Sequence, residues 1–330
     1  MGSSDFQIVS AAELAGKSDP ALTARSVGPK GQTPIQVYTA QDAFVLGSPG
    51  VIGLRRGPAT RIFAESSPYP DTVAMLAREA FAKAPGAVEN FAAACLLDRL
   101  WAGNIWHWFM ESLPVVAALE EARFEGCYIV PGDSTLCADS LGLLDIPLSR
   151  IRLGRQGFCA VTALVFTESF HGYNLAKWPW VVEWVRARAR RHFPQEPGAR
   201  RVYIARRGTR RVLNEVEIMA KLAEQGFVTA YMEDLSLRDQ LCLLRDAQIV
   251  IGPHGAGLVH TMFMPKGGTL IEFFNARYVN PCMVPVCEIL DIDYRMLVSQ
   301  VNPMDNFRKD DLILVQWEPF LLALKSALRV

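Results

Sequence analysis

The segment "VIGPHGAGLVHTMFMPKGGTLIEFF", residues 250–274, joins two apolar runs through a glycine-rich turn. The first run leads directly into Gly-Pro-His-Gly-Ala-Gly, and the second run, "TLIEFF", follows the turn "PKGG". Short apolar runs bounded by glycine and proline are typical of buried strands. The segment therefore predicts a strand, a loop, a helix that begins within residues 255–257, and a second strand.

The same alternation continues on both sides of this segment. Strands are predicted at "RVYIAR", "FVTAYM", "QIVIG" and "YRMLVS", and they alternate with helices from Asn214, from Ser236, after Gly255 and near Met283. Asparagine and serine are favoured helix N-caps, so the first two helix starts are well marked. Such alternation is typical of a parallel sheet with helices on both faces, which predicts a Rossmann-like α/β lobe.

The first half of the sequence predicts a mixed α/β lobe with a small N-terminal β-meander. Short runs broken by "GSPG" and "RGP" between residues 36 and 65 are typical of hairpins. Helical spacing follows at 71–84, at 87–100 and from Asn104, with a bend at Pro114. The runs "GCYIVPG" and "CAVTALVFTES" predict further strands.

The length of 330 residues exceeds the usual size of one domain and favours two. The clearest linker is "PQEPGA" at 194–199, which contains two prolines and a glycine. We therefore predict an N-terminal lobe at 1–193 and a C-terminal lobe at 199–307. A final helix at 308–330 is predicted to bend at Pro319 and to pack back on the N-terminal lobe.

The composition is that of a soluble globular protein, with a formal net charge of zero. This balance gives no general attraction to nucleic acid or to anionic membranes. The sequence has no apolar run of bilayer length and no basic-then-apolar start, and its seven cysteines form no C-x-x-C pair. These features predict a cytoplasmic protein with free thiols, and they leave peripheral contact with the inner face of the membrane open.

The glycine-rich turn contains the first candidate ligand-binding residues, His254, Gly255, Ala256 and Gly257. Ligands of open α/β sheets bind beyond the carboxyl ends of the strands. Glycine lets the backbone approach a ligand closely, and the N–H groups of a new helical turn favour an anion such as phosphate. His254 either donates to that anion or only hydrogen-bonds the loop. His260 lies six residues further on, not four, so no metal site is predicted.

Polar residues at other strand ends extend this predicted site. Arg206 and Arg207 follow "RVYIA" directly, and planar guanidinium groups suit diphosphate oxygens. Arg206 is the first choice for this contact, with Arg207 or Arg210 as alternatives. Glu272 ends a later strand, where it either accepts ribose hydroxyls or pairs with an arginine. Asn214 is predicted to support the site as a helix cap.

The stretch "NIWHWFMESLP", residues 104–114, places polar groups among large apolar ones. His107 and Glu111 are four residues apart on one helical face, and Asn104 lies one turn before His107. This pattern predicts a partly buried cluster in which His107 or Glu111 is a general base. The alternative is a core histidine with satisfied hydrogen bonds, and the spacing does not separate the two.

Residues 104–114 and 201–274 together resemble glycosyltransferase family 61. This family contains plant enzymes that decorate arabinoxylan, animal transferases of N-acetylglucosamine, and bacterial proteins of capsular-polysaccharide type. The resemblance implies a GT-B architecture, in which two Rossmann-like lobes face a cleft. It also implies metal-independent, inverting transfer from a nucleotide sugar such as a UDP-sugar to a glycan or lipid-linked glycan, without a cofactor.

By this similarity, Arg206, His254 and Gly255 hold the donor diphosphate, and His107 with Glu111 matches the family's pattern of a histidine followed by an acid. Several eukaryotic relatives carry aspartate at the position of Glu111, so the identity of the base stays open. A sugar-nucleotide epimerase and a non-catalytic nucleotide-sugar-binding module are the alternatives. A dehydrogenase is disfavoured because the G-x-G-x-x-G pattern is missing.

Overall fold

The computed structural model describes residues 6–55, 60–83, 88–132, 135–193, 200–299 and 312–328. The chain divides into two compact units, Met1–Ala189 and Arg190–Val330. The predicted linker at 194–199 lies outside the described residues. Each unit is therefore described by itself.

The first unit is a mixed α/β unit in which four consecutive strands, β2 to β5, precede a more regular succession of strands and helices. In chain order its elements are β1 (Phe6–Val9), α1 (Ala11–Gly16), β2 (Leu22–Val27), β3 (Ile35–Gly47), β4 (Gly50–Arg55), β5 (Thr60–Phe63), α2 (Val73–Lys83), β6 (Val88–Leu96), α3 (Ile105–His107), α4 (Leu113–Glu121), β7 (Cys127–Val130), α5 (Thr135–Leu143), β8 (Ile151–Leu153), β9 (Phe158–Thr167) and α6 (Pro179–Arg190). A π turn, Trp108–Ser112, joins α3 to α4.

These strands form one mixed sheet in the order β1-β5-β4-β3-β9-β6-β7-β8, with β2 also paired to β3. Strand β3 is antiparallel to β2, β4 and β9, and its pairing with β9 runs from Val37 opposite Thr167 to Leu46 opposite Phe158. Strands β9, β6, β7 and β8 are parallel. The predicted β-meander is thus not a separate layer, because the length of β3 joins it to the parallel half of the same sheet.

The helix predicted at 87–100 is wrong, since residues Val88–Leu96 form strand β6. Its alanine- and leucine-rich sequence favours a helix locally, but β6 hydrogen-bonds to β9 on one side and to β7 on the other. Ala94 and Cys95 have no exposed surface. Pairing on both edges and burial of the carboxyl-terminal end of the strand outweigh the helix propensity of this stretch.

The second unit has a simpler alternation. In chain order its elements are β10 (Arg200–Ala205), β11 (Arg211–Val212), α7 (Glu215–Glu224), β12 (Phe227–Tyr231), α8 (Leu237–Leu244), β13 (Ala247–Pro253), a 3-10 helix (Ala256–Phe263), β14 (Thr269–Asn275), α9 (Val284–Leu290), β15 (Asp293–Ser299), β16 (Leu312–Ile313) and α10 (Trp317–Leu328). The predicted strands and helix starts of this lobe are all confirmed, although the helix after Gly255 is of the 3-10 type.

The main sheet of the second unit is parallel throughout and has the order β12-β10-β13-β14-β15. Counted along the chain within this unit, that is the order 2-1-3-4-5 of doubly wound α/β folds. The strand order reverses between β10 and β13. Because loops diverge at such a switch point, a crevice opens beyond the carboxyl ends of these two strands.

The C-terminal helix α10 packs on the second unit. Phe320 and Leu324 belong to the same buried cluster as Phe273 of β14, and the Arg295 guanidinium donates to the carbonyl oxygen of Ala323 at 2.7 Å. The predicted packing of the final helix on the N-terminal lobe stays a prediction. Pro319 lies in the first turn of α10, where a missing N–H costs no helical bond, so the predicted bend is wrong.

All seven cysteines are free thiols. Burial raises the pKa of the Cys95 thiol to about 12, so this group stays protonated. Among the described residues, no helix is both long and apolar enough to cross a bilayer.

His260, in the 3-10 helix, makes the stability of the second unit sensitive to acid. Burial lowers the pKa of its imidazole to about 3, whereas an unfolded histidine titrates near 6.5. Only the unfolded chain therefore binds a proton between these values. The stability that depends on neutral His260 is complete above pH 6.5 and falls as the pH drops toward 3.

We expect protonation of His260 in the unfolded chain to lower the free energy of unfolding by about 2 kcal/mol between pH 7.5 and pH 5. Urea unfolding at the two pH values measures the change, and His260→Leu, a residue of similar volume, is the comparison. The variant should lose that part of the pH dependence. An equal pH dependence in both proteins would contradict the assignment.

Candidate functional site

A cavity of about 320 Å³ lies at the switch point of the second unit. The loops that follow β10, β12 and β13 line it, and Arg206, Gly255, Ala256 and Gly257 are among its lining residues. The sequence placed these four residues in one site because the carboxyl ends of parallel strands meet at one edge of a sheet. The structure brings them together there.

Arg206 lines the cavity, and Arg210 lies close enough to Arg206 for its charge to affect the Arg206 pKa. Arg206 donates from Nη1 to the carbonyl oxygen of His254 at 2.9 Å, and Arg210 lies 5.5 Å from the centre of the Tyr278 ring. Neither forms an ion pair with a carboxylate of the described residues, and the buried Nε of Arg210 has no hydrogen-bond partner there. Burial and then the charge of Arg210 lower the pKa of the Arg206 guanidinium. The carboxylate of Glu233, which lines the same cavity, has the opposite effect on this pKa but forms no ion pair with Arg206. Two close guanidinium groups that form no ion pair with a described carboxylate are suited to bind an anion.

Arg207 points to a different partner. Its Nη1 and Nη2 donate to the two carboxylate oxygens of Asp234 at 2.6 and 2.7 Å, and its guanidinium lies 4.0 Å from the centre of the Tyr231 ring. These hydrogen bonds lower the pKa of Asp234. Arg207 lines the same cavity as Arg206, but its guanidinium is paired with Asp234, so Arg206 stays the first choice for the diphosphate and Arg207 an alternative.

The Arg206 guanidinium lies directly against the backbone of Gly255. A Cβ atom at this position would overlap the Nη1 atom of Arg206. The backbone of Gly255 is extended, so conformation alone admits any residue, and the close approach explains the glycine. At Gly257, in contrast, the nearest atom to an added Cβ is Met232 Cγ at 3.6 Å, an ordinary contact.

His254 and Glu272 form a buried network beneath the cavity. His254 Nδ1 and Glu272 Oε1 are 2.6 Å apart, and Tyr294 donates to Glu272 Oε2 at 2.6 Å. Glu272 has no exposed surface and His254 is 3% exposed. The predicted ribose contact of Glu272 is therefore wrong, because both of its oxygens are used inside the protein. Of the readings left open for His254, the structure favours the one in which it holds the loop, with its carbonyl oxygen fixing Arg206.

Asn214 also has a role other than the predicted one. Its side chain makes no cap hydrogen bond at the start of α7. Instead it donates to the carbonyl oxygen of Val315 at 2.9 Å and accepts from the Val315 N–H at 3.2 Å. Asn214 thus ties the segment before α10 to the second unit and does not line the cavity.

The first unit holds a second polar cluster around His107 and Glu111. His107 Nδ1 lies 3.0 Å from Glu111 Oε2, and Glu111 Oε1 accepts from the Tyr69 hydroxyl at 2.9 Å and from the Gly172 N–H at 3.3 Å. Glu111 is buried, whereas a fifth of the His107 side chain is exposed. Both carboxylate oxygens are occupied, so Glu111 orients His107 through Nδ1 and leaves Nε2 of the imidazole for a ligand.

Local helix geometry explains how these two residues meet. The Asn104 side chain accepts from the Trp106 N–H at 2.9 Å and caps the helix at its start. The π turn Trp108–Ser112 follows directly. Pro114 has no N–H to donate to the carbonyl four residues earlier, which favours such a widened turn.

An aromatic rim, Tyr69, Trp101 and His171, surrounds this cluster. Trp101 is 51% exposed and has a positive φ of 64°, an unusual backbone for a bulky residue. Its ring lies 4.9 Å from Tyr69 and 5.2 Å from His107, and Tyr69 lies 4.9 Å from His171. An exposed tryptophan held in a strained conformation beside a histidine is typical of a binding site rather than of a core.

Four residues of these two sites were not predicted from the sequence: Tyr69, Trp101, His171 and Glu233. Tyr69 and His171 are distant from His107 in the chain, and no local pattern marks them. Glu233 lines the cavity of the second unit because β12 pairs with β10, and strand order is not written in the sequence.

The sequence signature of the family described as Glycosyltransferase 61 matches residues 105–271, about half of the chain. The EGF domain-specific O-linked N-acetylglucosamine transferase of Drosophila melanogaster is 33% identical over 106 residues, which is 31% of this chain and 20% of that protein. The protein O-linked-mannose beta-1,4-N-acetylglucosaminyltransferase 2 of Homo sapiens is 38% identical over 80 residues, which is 23% of this chain and 14% of that protein. The matches thus span a fifth or less of these two relatives.

The fit of Gly255 against Arg206 can be tested by adding one methyl group. We expect Gly255→Ala to displace the Arg206 guanidinium and to weaken the binding of inorganic pyrophosphate by about tenfold, the value of one charge-assisted hydrogen bond. Isothermal titration calorimetry measures the affinity. The control is Gly142→Ala, where nothing lies within 4 Å of the added Cβ. Equal affinity in Gly255→Ala and the parent protein would contradict the assignment.

Proposed function

The chain belongs to the glycosyltransferase 61 family, and from that premise we propose that it transfers a sugar from a nucleotide-sugar donor to a hydroxyl of a glycan or lipid-linked glycan. The observation that carries the proposal is the cavity at the switch point, which Arg206 lines without forming an ion pair with the described residues, and beside which Arg210 adds a second positive charge. A nucleotide sugar brings the two negative charges of a diphosphate to such a place.

The second unit would bind the donor. Arg206 and the main chain of residues 255–257 hold the diphosphate, and Arg210 adds a second positive charge. When the glycosidic bond breaks, negative charge grows on the diphosphate, and these groups stabilise it. Since two arginines can supply this stabilisation, we propose that the reaction needs no divalent metal. We also propose that the donor is a UDP-sugar.

The first unit would supply the base. The Glu111 carboxylate holds the Nδ1–H tautomer of His107, so Nε2 accepts the proton of the acceptor hydroxyl. The acceptor oxygen attacks the anomeric carbon on the face opposite to the diphosphate, the bond to the diphosphate oxygen breaks, and the nucleoside diphosphate leaves. One displacement inverts the anomeric centre. Glu111 stabilises the imidazolium that forms on His107.

The aromatic rim of the first unit supports a sugar as the acceptor. Sugar rings present C–H faces that pack on aromatic rings, and Trp101 offers an exposed ring 5.2 Å from that of His107. The hydroxyl of a bound sugar would then lie within reach of the base. If the glycan is attached to a lipid, the protein works at a membrane surface.

Donor binding can be tested without knowledge of the acceptor. In a thermal-shift screen of UDP, GDP and CMP, we expect UDP to stabilise the protein by about 2.7 kcal/mol at a concentration of one hundred times Kd. Arg206→Gln should weaken UDP by tenfold or more, because it removes a charge-assisted contact. The control Arg211→Gln removes an exposed arginine outside the cavity and should bind as the parent does. No response to any of these nucleotides would contradict the proposal.

The base can be tested by the release of UDP from UDP-sugars in the presence of a panel of methyl glycosides. We expect His107→Ala to lower kcat by about 10²- to 10⁴-fold, with Kd for UDP unchanged. Glu111→Gln should lower kcat as well, because the amide no longer stabilises the imidazolium. EDTA should leave the parent rate unchanged, and a rate that EDTA abolishes would disprove metal independence. An epimerised nucleotide sugar formed without acceptor would favour the epimerase alternative.

A further inference from the structure

We propose that Glu233 binds the ribose hydroxyls of the donor nucleotide and so selects ribonucleotides. This inference rests on the proposed function, because it assumes that a nucleotide occupies the cavity. Glu233 would contact the nucleoside, whereas the residues that bind the diphosphate would not.

Glu233 lies in the cavity at the carboxyl end of the strand beside β10. It follows strand β12, which pairs with β10 in parallel register up to Ala205 opposite Tyr231. The two strands therefore end side by side, and Arg206 and Glu233 both line the cavity. A diphosphate bound at Arg206 places its nucleoside within the same crevice.

The carboxylate of Glu233 is available for a ligand. It is exposed, and it accepts no hydrogen bond and forms no ion pair with the residues that the structure describes. The neighbouring Asp234 differs, since its two oxygens are held by Arg207. Glu233 interacts with Arg206 and Arg207 only through longer-range charge. Two carboxylate oxygens can accept from the two hydroxyls of a ribose at once.

The negative charge of Glu233 is unfavourable for diphosphate binding and therefore has to be explained. A carboxylate in a cavity that binds diphosphate repels that anion, so it lowers the affinity unless it makes a compensating contact. Hydroxyl groups of the ligand give that contact, because they are donors that only an acceptor can use. The apolar residues Met232 and Leu258 line the same cavity and suit the carbon face of a nucleoside.

The test compares ribose with a sugar that lacks both hydroxyls. Calorimetric titrations would use UDP and 2′,3′-dideoxy-UDP, which carry the same charge, with the parent protein and Glu233→Ala. We expect the parent to prefer UDP by tenfold or more, the effect of losing hydrogen bonds to a charged group. Glu233→Ala should bind the two nucleotides equally. Because both nucleotides are equally charged, the lost repulsion cancels in the ratio.

Two further measurements separate the outcomes. Glu233→Ala should bind inorganic pyrophosphate at least as tightly as the parent, which shows that the fold and the arginines are intact. Glu217→Ala removes an exposed acid of α7 outside the cavity, and it should keep the parent's preference for UDP. A preference for UDP that survives in Glu233→Ala would overturn the assignment of Glu233 alone. If neither UDP nor pyrophosphate binds the parent protein, the proposed function fails, and this inference fails with it.

Discussion

The site of the second unit depends on one constraint, the approach of the Arg206 guanidinium to the backbone at Gly255. A side chain at that position would push the guanidinium out, and the hydrogen bond from Arg206 to the His254 carbonyl oxygen would be lost. With the guanidinium in place, Arg210 adds a second positive charge, and neither arginine forms an ion pair with a described carboxylate. The loop and the strand end thus hold a charge arrangement that is costly without an anion.

A buried hydrogen-bond network in the second unit fixes the conformation of this loop. His254, Glu272 and Tyr294 form a chain of short hydrogen bonds with little exposed surface, and the His254 ring also stacks on Phe274 at 5.0 Å. Buried polar networks of this kind fix one geometry because every alternative leaves a polar atom unpaired. These residues therefore contribute to the site by fixing the position of the loop. In the first unit, Glu111 has the same relation to His107, since it is buried and holds the ring nitrogen that faces it.

The sequence predicted the second unit well and its site in part. Strand ends are marked by β-branched runs, so Arg206 and the loop at 255–257 could be placed at one edge without a structure. The sequence did not show which of the polar residues at the strand ends are buried. Glu272 sits at a strand end like a ligand-binding acid, yet its partners are His254 and Tyr294. Glu233 was missed because its place beside Arg206 depends on strand order. In the first unit, the alanine-rich β6 had the local propensity of a helix, and only pairing on both edges makes it a strand.

The most direct measurement is a crystal structure of the protein with bound UDP. The account predicts diphosphate oxygens within hydrogen-bond distance of the Arg206 guanidinium and of the main-chain N–H groups at 255–257, with Arg210 nearby and His254 still bonded to Glu272. Diphosphate density at any other place, with Arg206 turned to a protein acid and the cavity filled by side chains, would contradict it.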